Sequence, residues 1–461
     1  MKIRNLSLVL AAALSLSVLN GCGIYKKYDV DDVDSQLVRQ YAAALEEQTD
    51  SLAFGNLGWQ QVFTDPVLVD LINGALENNK DLANAKLNVD IAHAQMQGAR
   101  LSYLPSVALA PNGAGASYAN SALSWSYQIP LAVSWEVDIF GKILNTKRGA
   151  EASYQMAKAY EHAVRSQIIA GVANCYYSLS ALNTQLEISR STAELWRQSV
   201  QVMRDLKEAG RLNESAVVQS NAQYYSILAS ITDLEASVHQ LNNSLSLLMN
   251  VMPQKWDIPS GASLSAPVEY SKTIPMTALA ARPDVQAAEM SFAVAYYSTA
   301  SARAAFYPGV SITANGGFTN LLGSMIVNPG DWFLQLAGSL TAPLFARGQN
   351  IARLKAAKAS QQQALNNFEY SIMSAAAEVS NAMTVYEEAV DKQKYLAVQV
   401  EELTKSVDYT SELLLYGGTT TYLEVLTAQQ GLLQAQLGMV NSNLTASQAI
   451  INLYQALGGG R

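Results

Sequence analysis

Few side chains in these 461 residues are of the kinds that make or break bonds. The three histidines, His93, His162 and His239, are scattered, without the spacing that gathers metal ligands. There is no G-x-S-x-G elbow, no Walker loop and no dinucleotide fingerprint. Cys175 falls on an apolar seam, where a buried structural thiol is expected. No enzymatic activity, no metal and no cofactor are therefore expected. The chemistry that remains is at Cys22. It follows Leu19-Asn20-Gly21, after Lys2, Arg4 and an apolar run from Leu6 to Leu19. That is the pattern of a signal peptide, residues 1–21, ending in a lipobox. The expected modification is acylation of the Cys22 sulfur and amino group, and two or more acyl chains anchor a protein stably. An ordinary signal peptide with a chance cysteine is the plainer alternative. With Cys22 acylated, Cys175 has no intrachain disulfide partner.

Composition narrows the class. Hydrophobic residues make up 49% of the chain, enough for a large core, and charged residues only 15%, against about a quarter in soluble domains. The net charge is −8 and no basic stripe occurs, so nucleic acid is not an expected partner. Beyond the signal peptide no run of 18 apolar residues exists, so no transmembrane helix is expected.

The segment 125–139 is different. Trp125, Tyr127, Ile129, Leu131, Val133, Trp135, Val137 and Ile139 are large and apolar. The alternate positions, among them Ser126, Gln128, Glu136 and Asp138, are small or polar. A strand with that alternation has one apolar and one wet face. Ten residues separate the tryptophans, roughly 33 Å along a strand, or about 25 Å of height when tilted. This matches the apolar band of an outer-membrane barrel with its aromatic girdles. Ser126, Gln128, Glu136 and Asp138 would then face the lumen. A half-buried strand of a soluble sandwich is the competing reading for one such segment alone.

Around this strand the chain reads as helix. No proline occurs between Leu131 and Met252, nor after Leu344. At about 3 kcal/mol per interior proline, tracts this long favour very long helices. Val172, Cys175, Leu179, Leu182, Leu186, Ser189, Ala193, Trp196, Val200 and Met203 keep three-four spacing, as helices do when they supercoil around partners. From about 141 to 208 such a helix would run about 100 Å. Gly210 and Gly417-Gly418 end the outgoing helices, so two helical hairpins are expected.

The halves repeat. Ala99-Arg100-Leu101-Ser102-Tyr103-Leu104-Pro105 is matched by Ala302-Arg303-Ala304-Ala305-Phe306-Tyr307-Pro308, and Asn112-Gly113 by Asn315-Gly316 at the same offset. Gly141 and Ala152-Ser153 are matched by Gly348 and Ala359-Ser360 at a slightly larger one. The expected plan is a tandem duplication. After the signal peptide, residues 22–65 form a lipidated extended segment. Residues 66–250 form repeat 1: a helix over about 66–103, strands over about 106–118 and 125–139, and a long hairpin. A linker occupies 251–281. Residues 282–457 form repeat 2, with strands over about 309–322 and 331–343, and 458–461 are a tail. The fold class is mainly α with transmembrane β. Four strands cannot close a barrel, and an open edge in lipid leaves backbone groups unpaired. Copies must therefore pool strands. Three would give twelve, though the spacing alone does not fix three.

The chain resembles the outer-membrane efflux proteins, the exit ducts of TolC and OprM type, in their lipoprotein branch. The resemblance rests on Trp59…Phe63-Thr64-Asp65-Pro66, Trp135-Glu136-Val137-Asp138-Ile139-Phe140-Gly141-Lys142 and Arg282-Pro283-Asp284-Val285. It continues through Ala342-Pro343-Leu344-Phe345 and Gly418-Thr419-Thr420-Thr421-Tyr422-Leu423-Glu424-Val425-Leu426. It implies a homotrimer with a twelve-stranded barrel continued by an α-helical coiled-coil barrel across the periplasm. It also implies a passive exit duct for drugs or other small molecules. The implied partners are a periplasmic adaptor, an inner-membrane transporter of the RND class and outer-membrane lipid. Gly23 after the cysteine is compatible with outer-membrane delivery in bacterial lipoproteins. By position, Gly210, Arg211, Leu212, Gly417, Gly418 and Thr419 are the periplasmic tips that would meet the adaptor. Glu424 is the candidate gate residue. The matching position after the first tip is Ala216, where relatives often carry Asp, and Glu214 lies nearby. A duct for type I protein secretion is the alternative within the family. A coiled-coil lipoprotein that is tethered but does not span is the alternative outside it.

Overall fold

The computed structural model describes residues 25–46, 57–117, 122–265, 276–319, 331–343, 345–417 and 420–460. The signal peptide, Cys22, Gly418 and Thr419 lie outside the described residues. The chain is mainly helical and divides into two compact units. One holds residues 1–39, 87–159 and 286–370, the other 40–86, 160–285 and 371–461.

The helices are α1 (Gln36–Glu46), α2 (Trp59–Val62), α3 (Pro66–Asn78), α4 (Lys80–Leu101), α5 (Lys142–Glu208) and α6 (Glu214–Leu248). After them come α7 (Met276–Ala280), α8 (Pro283–Ala304), α9 (Gln349–Glu412) and α10 (Tyr422–Ala456). The strands are β1 (Ser106–Leu109), β2 (Asn112–Ala116), β3 (Ser124–Val137), β4 (Gly309–Thr319) and β5 (Asp331–Thr341).

The first unit is built on one antiparallel sheet in the order β1-β3-β4-β5, with β2 also pairing with β3. β1 and β2 are one strand in register: Leu109 faces Leu131 and Asn112 faces Gln128. Ala110 therefore faces Pro130. Ala110 N donates to Pro130 O at 3.0 Å, but Pro130 has no N–H to return the bond. The ladder breaks there, which interrupts the single strand expected over 106–118. On the other side of β3, Pro130 pairs in register with Gly317. A Cβ on Gly317 would lie 2.1 Å from Ile129 O, so only glycine fits this approach.

The N-terminal stretch is anchored to this unit. Tyr25 donates its phenol to Ile139 O and accepts from Arg148 at its carbonyl. The Tyr28 ring packs edge-on against Phe292 and Tyr296. The extended conformation expected for 22–65 is corrected over 36–46, which form α1. Val38, Tyr41 and Ala42 recur at helical spacing and are buried.

In the second unit, Asp65 caps α3: its Oδ1 accepts from Val67 N at 2.9 Å and Leu68 N at 3.3 Å, with Pro66 at the first helical position. Its Oδ2 accepts from the Tyr176 phenol at 2.7 Å. The expected continuous helix over 66–103 is broken at Asn79. Its ψ of 131° is not helical. Its Oδ1 caps α4 through Asp81 N and Leu82 N, and its Nδ2 donates to Leu248 O. That long-range bond and the cap outweigh one uninterrupted helical turn. The α5 seam is the core of this unit: Val172, Leu179, Leu186, Ser189, Ala193, Trp196, Val200 and Met203 are buried. On α9, Val379, Ala382 and Ala389 are buried, and Gln393, Leu396, Val400, Leu403 and Val407 are half-buried.

Candidate functional site

Pairing register sorts the sheet's side chains into two faces. Val107, Val133, Ala314 and Leu336 form one row. Ile129, Phe318 and Trp332 form another, and Val137, Val310 and Leu340 a third. This apolar face is bare: Trp125 is 60% exposed, Trp135 40% and Trp332 76%. Such an area of large apolar side chains facing outward is unstable in water unless something covers it. On the opposite face the rows are Ser106, Ser134, Thr313; Asn112, Gln128, Thr319; and Glu136, Ser311, Ser339. Ser311 and Ser339 share a hydrogen bond of 2.6 Å. Phe333, in register with Gly317, is the exception on this side.

Ser126, Gln128 and Glu136 belong to the polar face. Glu136 is paired with Lys142 at 2.9 Å. Asp138 lies past the end of β3 and has another task. Its carboxylate accepts from Ile143 N at 3.1 Å and Leu144 N at 2.7 Å, satisfying free donors at the start of α5. Among the described residues, β1, β2 and β5 pair on one side only. No described helix is long and apolar enough to cross a membrane.

The first hairpin turns at Gly210, whose φ is +69°. Gly210 N donates to Lys207 O and Arg211 N to Leu206 O, which closes the last turn of α5 with a left-handed glycine. Gly210 and Arg211 are exposed, whereas Leu212 packs with Met203, Val217, Leu414, Val425 and Tyr422. Residues flanking both hairpin turns thus meet in one apolar cluster, and Tyr422 Oη also donates to Gln219. In the second hairpin α9 ends in a π-helical turn, Leu413–Gly417. Glu424 occupies the first turn of α10, is exposed, and accepts from the Thr420 hydroxyl. Thr421 caps the same helix through Glu424 N at 3.4 Å. A carboxylate there is favoured by the helix dipole. Ala216 is 0% exposed, so its methyl is interior packing. Glu214 is solvent-facing and paired with Lys207.

One constellation was not singled out by sequence chemistry. The Arg282 guanidinium, 7% exposed, donates to Asp284 at 3.0 and 2.7 Å, to Glu378 at 2.6 Å and to Ala456 O at 2.9 Å. It joins the start of α8, the middle of α9 and the end of α10. Burial alone would raise the Asp284 pKa, but the guanidinium overrides it and holds the carboxyl below its usual range. The signal available was an arginine beside a proline and an aspartate at a helix start. Its partners were not legible. Among the described residues no three His, Cys, Asp or Glu side chains group as metal ligands. Cys175 is half-buried, and burial pushes its thiol pKa up.

The outer membrane efflux protein family model matches residues 71–251 and 274–459. A probable outer membrane lipoprotein, SilC of Salmonella typhimurium, is 29% identical over 419 residues, covering 88% of this chain and 89% of SilC. The toluene efflux pump outer membrane protein TtgC of Pseudomonas putida is 27% identical over 467 residues, covering 98% and 95%. A crystal structure of CusC superposes with a TM-score of 0.82 at 26% identity, over 94% of this chain and 98% of CusC. The two matched segments span most of the chain, and the chain belongs to the outer membrane efflux protein family.

Proposed function

We propose that this chain is the outer-membrane channel of a tripartite efflux system, a passive exit duct for drugs or other small molecules. The observation that carries the reading is the sheet. Its apolar face is continuous and bare, its other face is polar, and among the described residues its two edges are unpaired. In lipid the bare face is covered and the edges must be paired. Three chains with four strand positions each would make a closed barrel of about twelve strands, within the range of outer-membrane barrels. Helices of 67 and 64 residues, about 100 Å each at 1.5 Å per residue, suit a tube continuing into the periplasm. Cys22 carries the lipid anchor. Gly210, Arg211, Leu212, Gly417, Gly418 and Thr419 dock a periplasmic adaptor, which joins the duct to an RND transporter. Glu424 lines the constriction. The names of SilC and TtgC, an outer membrane lipoprotein and an efflux-pump outer membrane protein, support this assignment.

The experiment is to purify the acylated protein and measure its mass, its single-channel conductance in planar bilayers and the transporter that co-purifies. A trimer that conducts and brings an RND pump supports the reading. A stable monomer that leaves bilayers insulating overturns it, and an ABC exporter as partner would move the duct to protein secretion.

A further inference from the structure

A groove of about 650 Å³ lies between α5, α9 and α10, wholly within the second unit. Its walls are largely apolar, with Met203, Leu414, Val425 and Leu432 among them. Two polar atoms in its lining have no partner. Trp196 is only 1% exposed, and its indole Nε1 meets no acceptor among the described residues. Gln429 donates through Nε2 to Ser199 Oγ at 3.5 Å, while its Oε1 is buried and accepts nothing. Buried polar atoms almost always find a partner, because an unmade bond leaves desolvation uncompensated. Here a donor and an acceptor are both left open in one concave site.

The charge of the site is one-sided. Glu187 and Asp408 line the groove, and no lysine, arginine or histidine does. Three cations near it in sequence are engaged elsewhere: Arg190 with Glu235, Arg197 with Glu194, and Lys405 with Glu401 and Glu402. The indole face is itself attractive to a cation. The volume is that of a site for a drug-sized molecule. We propose that this groove binds an amphiphilic cation: an apolar aromatic body with a fixed positive charge and an acceptor oxygen. The apolar body covers the walls, the charge sits toward Glu187 and Asp408, and the oxygen accepts from Trp196 Nε1. The groove is made by a single chain, so the proposal does not rest on conduction.

Berberine has a quaternary nitrogen, ether oxygens and fluorescence that rises in apolar surroundings, which makes it a suitable probe. Titrated into the full-length protein in nanodiscs, it should saturate at one site per chain above the partition into empty nanodiscs. The double variant E187Q/D408N should bind at least about fivefold more weakly, the weight of one close ion pair in water-like dielectric. Neutral dihydroberberine should bind the unaltered protein about as poorly as berberine binds the double variant. Binding no greater than that of empty nanodiscs would overturn the proposal, as would happen if a neighbouring copy fills the groove. So would equal affinity for berberine in the unaltered protein and E187Q/D408N.

Discussion

Arg282 offers the sharpest test of how the second unit is held together. Replacing it with methionine keeps most of the apolar stem and removes every donor. The loss has two parts. Ala456 O gives up a hydrogen bond of 2.9 Å from a charged donor, worth about 1.5–3 kcal/mol. Asp284 and Glu378 lose their partner, but at 50% and 53% exposure they return to water. Their contribution is therefore well below the roughly 3–5 kcal/mol of a fully buried broken pair. The sum is about 2–3 kcal/mol, concentrated where α10 ends. Hydrogen exchange followed by mass spectrometry on residues 445–456 should then speed up by a factor of about 30 to 150. Arg282→Lys, which keeps the charge but cannot reach three acceptors at once, should fall between the two. Asp284 adds a pH signature. Its folded pKa lies below its unfolded value, so its stabilisation is present above the unfolded pKa and disappears as pH falls through the folded one. The variant's deficit should shrink under strong acid. Unchanged exchange in Arg282→Met, or identical exchange in the lysine and methionine variants, would refute the argument.

Alkaline titration should test the aromatic packing on α5. Burial, with Asp65 adding to it, pushes the Tyr177 phenol up to about 12. Its stabilisation is complete below the unfolded tyrosine value and is lost as pH rises through 12; Tyr177→Phe should flatten that limb of the helical circular-dichroism signal. Gly317→Ala should put a Cβ against Ile129 O and cost about 3 kcal/mol, the upper end for overpacking. Outer-membrane fractions should then contain little heat-resistant oligomer, whereas Gly338→Ala, where nothing lies within 4 Å, should assemble normally. Glu424→Ala should change single-channel conductance and raise vancomycin sensitivity; unchanged values for both would leave Glu424 only its place in the cap of α10.

The strand alternation at 125–139 was legible because its period is enforced by the pleat, and the structure pairs Gln128 through Val137 across to β4 without a slip. The α5 seam was legible for the same reason at helical period. What escaped were features set by a partner far away in sequence. The break at Ala110 depends on the missing N–H of Pro130, and the break at Asn79 on Leu248 O. Asp138 read as a wet strand position because its service to Ile143 N and Leu144 N begins only once the chain bends. α1 was hidden by the polar company of Val38, Tyr41 and Ala42. At the site, the tip glycine Gly210 announced itself through its turn chemistry, whereas the burial of Ala216 is a property of packed hairpins and has no local signature.

The rows of serine, threonine and asparagine on the wet side of the sheet have short reach, and the one glutamate among them is already neutralised by Lys142. As the lining of the duct proposed above, these rows offer a passing solute hydroxyls and amides and few fixed charges to sort by sign. Whatever chooses the cargo must therefore act before the cargo arrives here, and altering these rows should change what is admitted far less than it changes throughput.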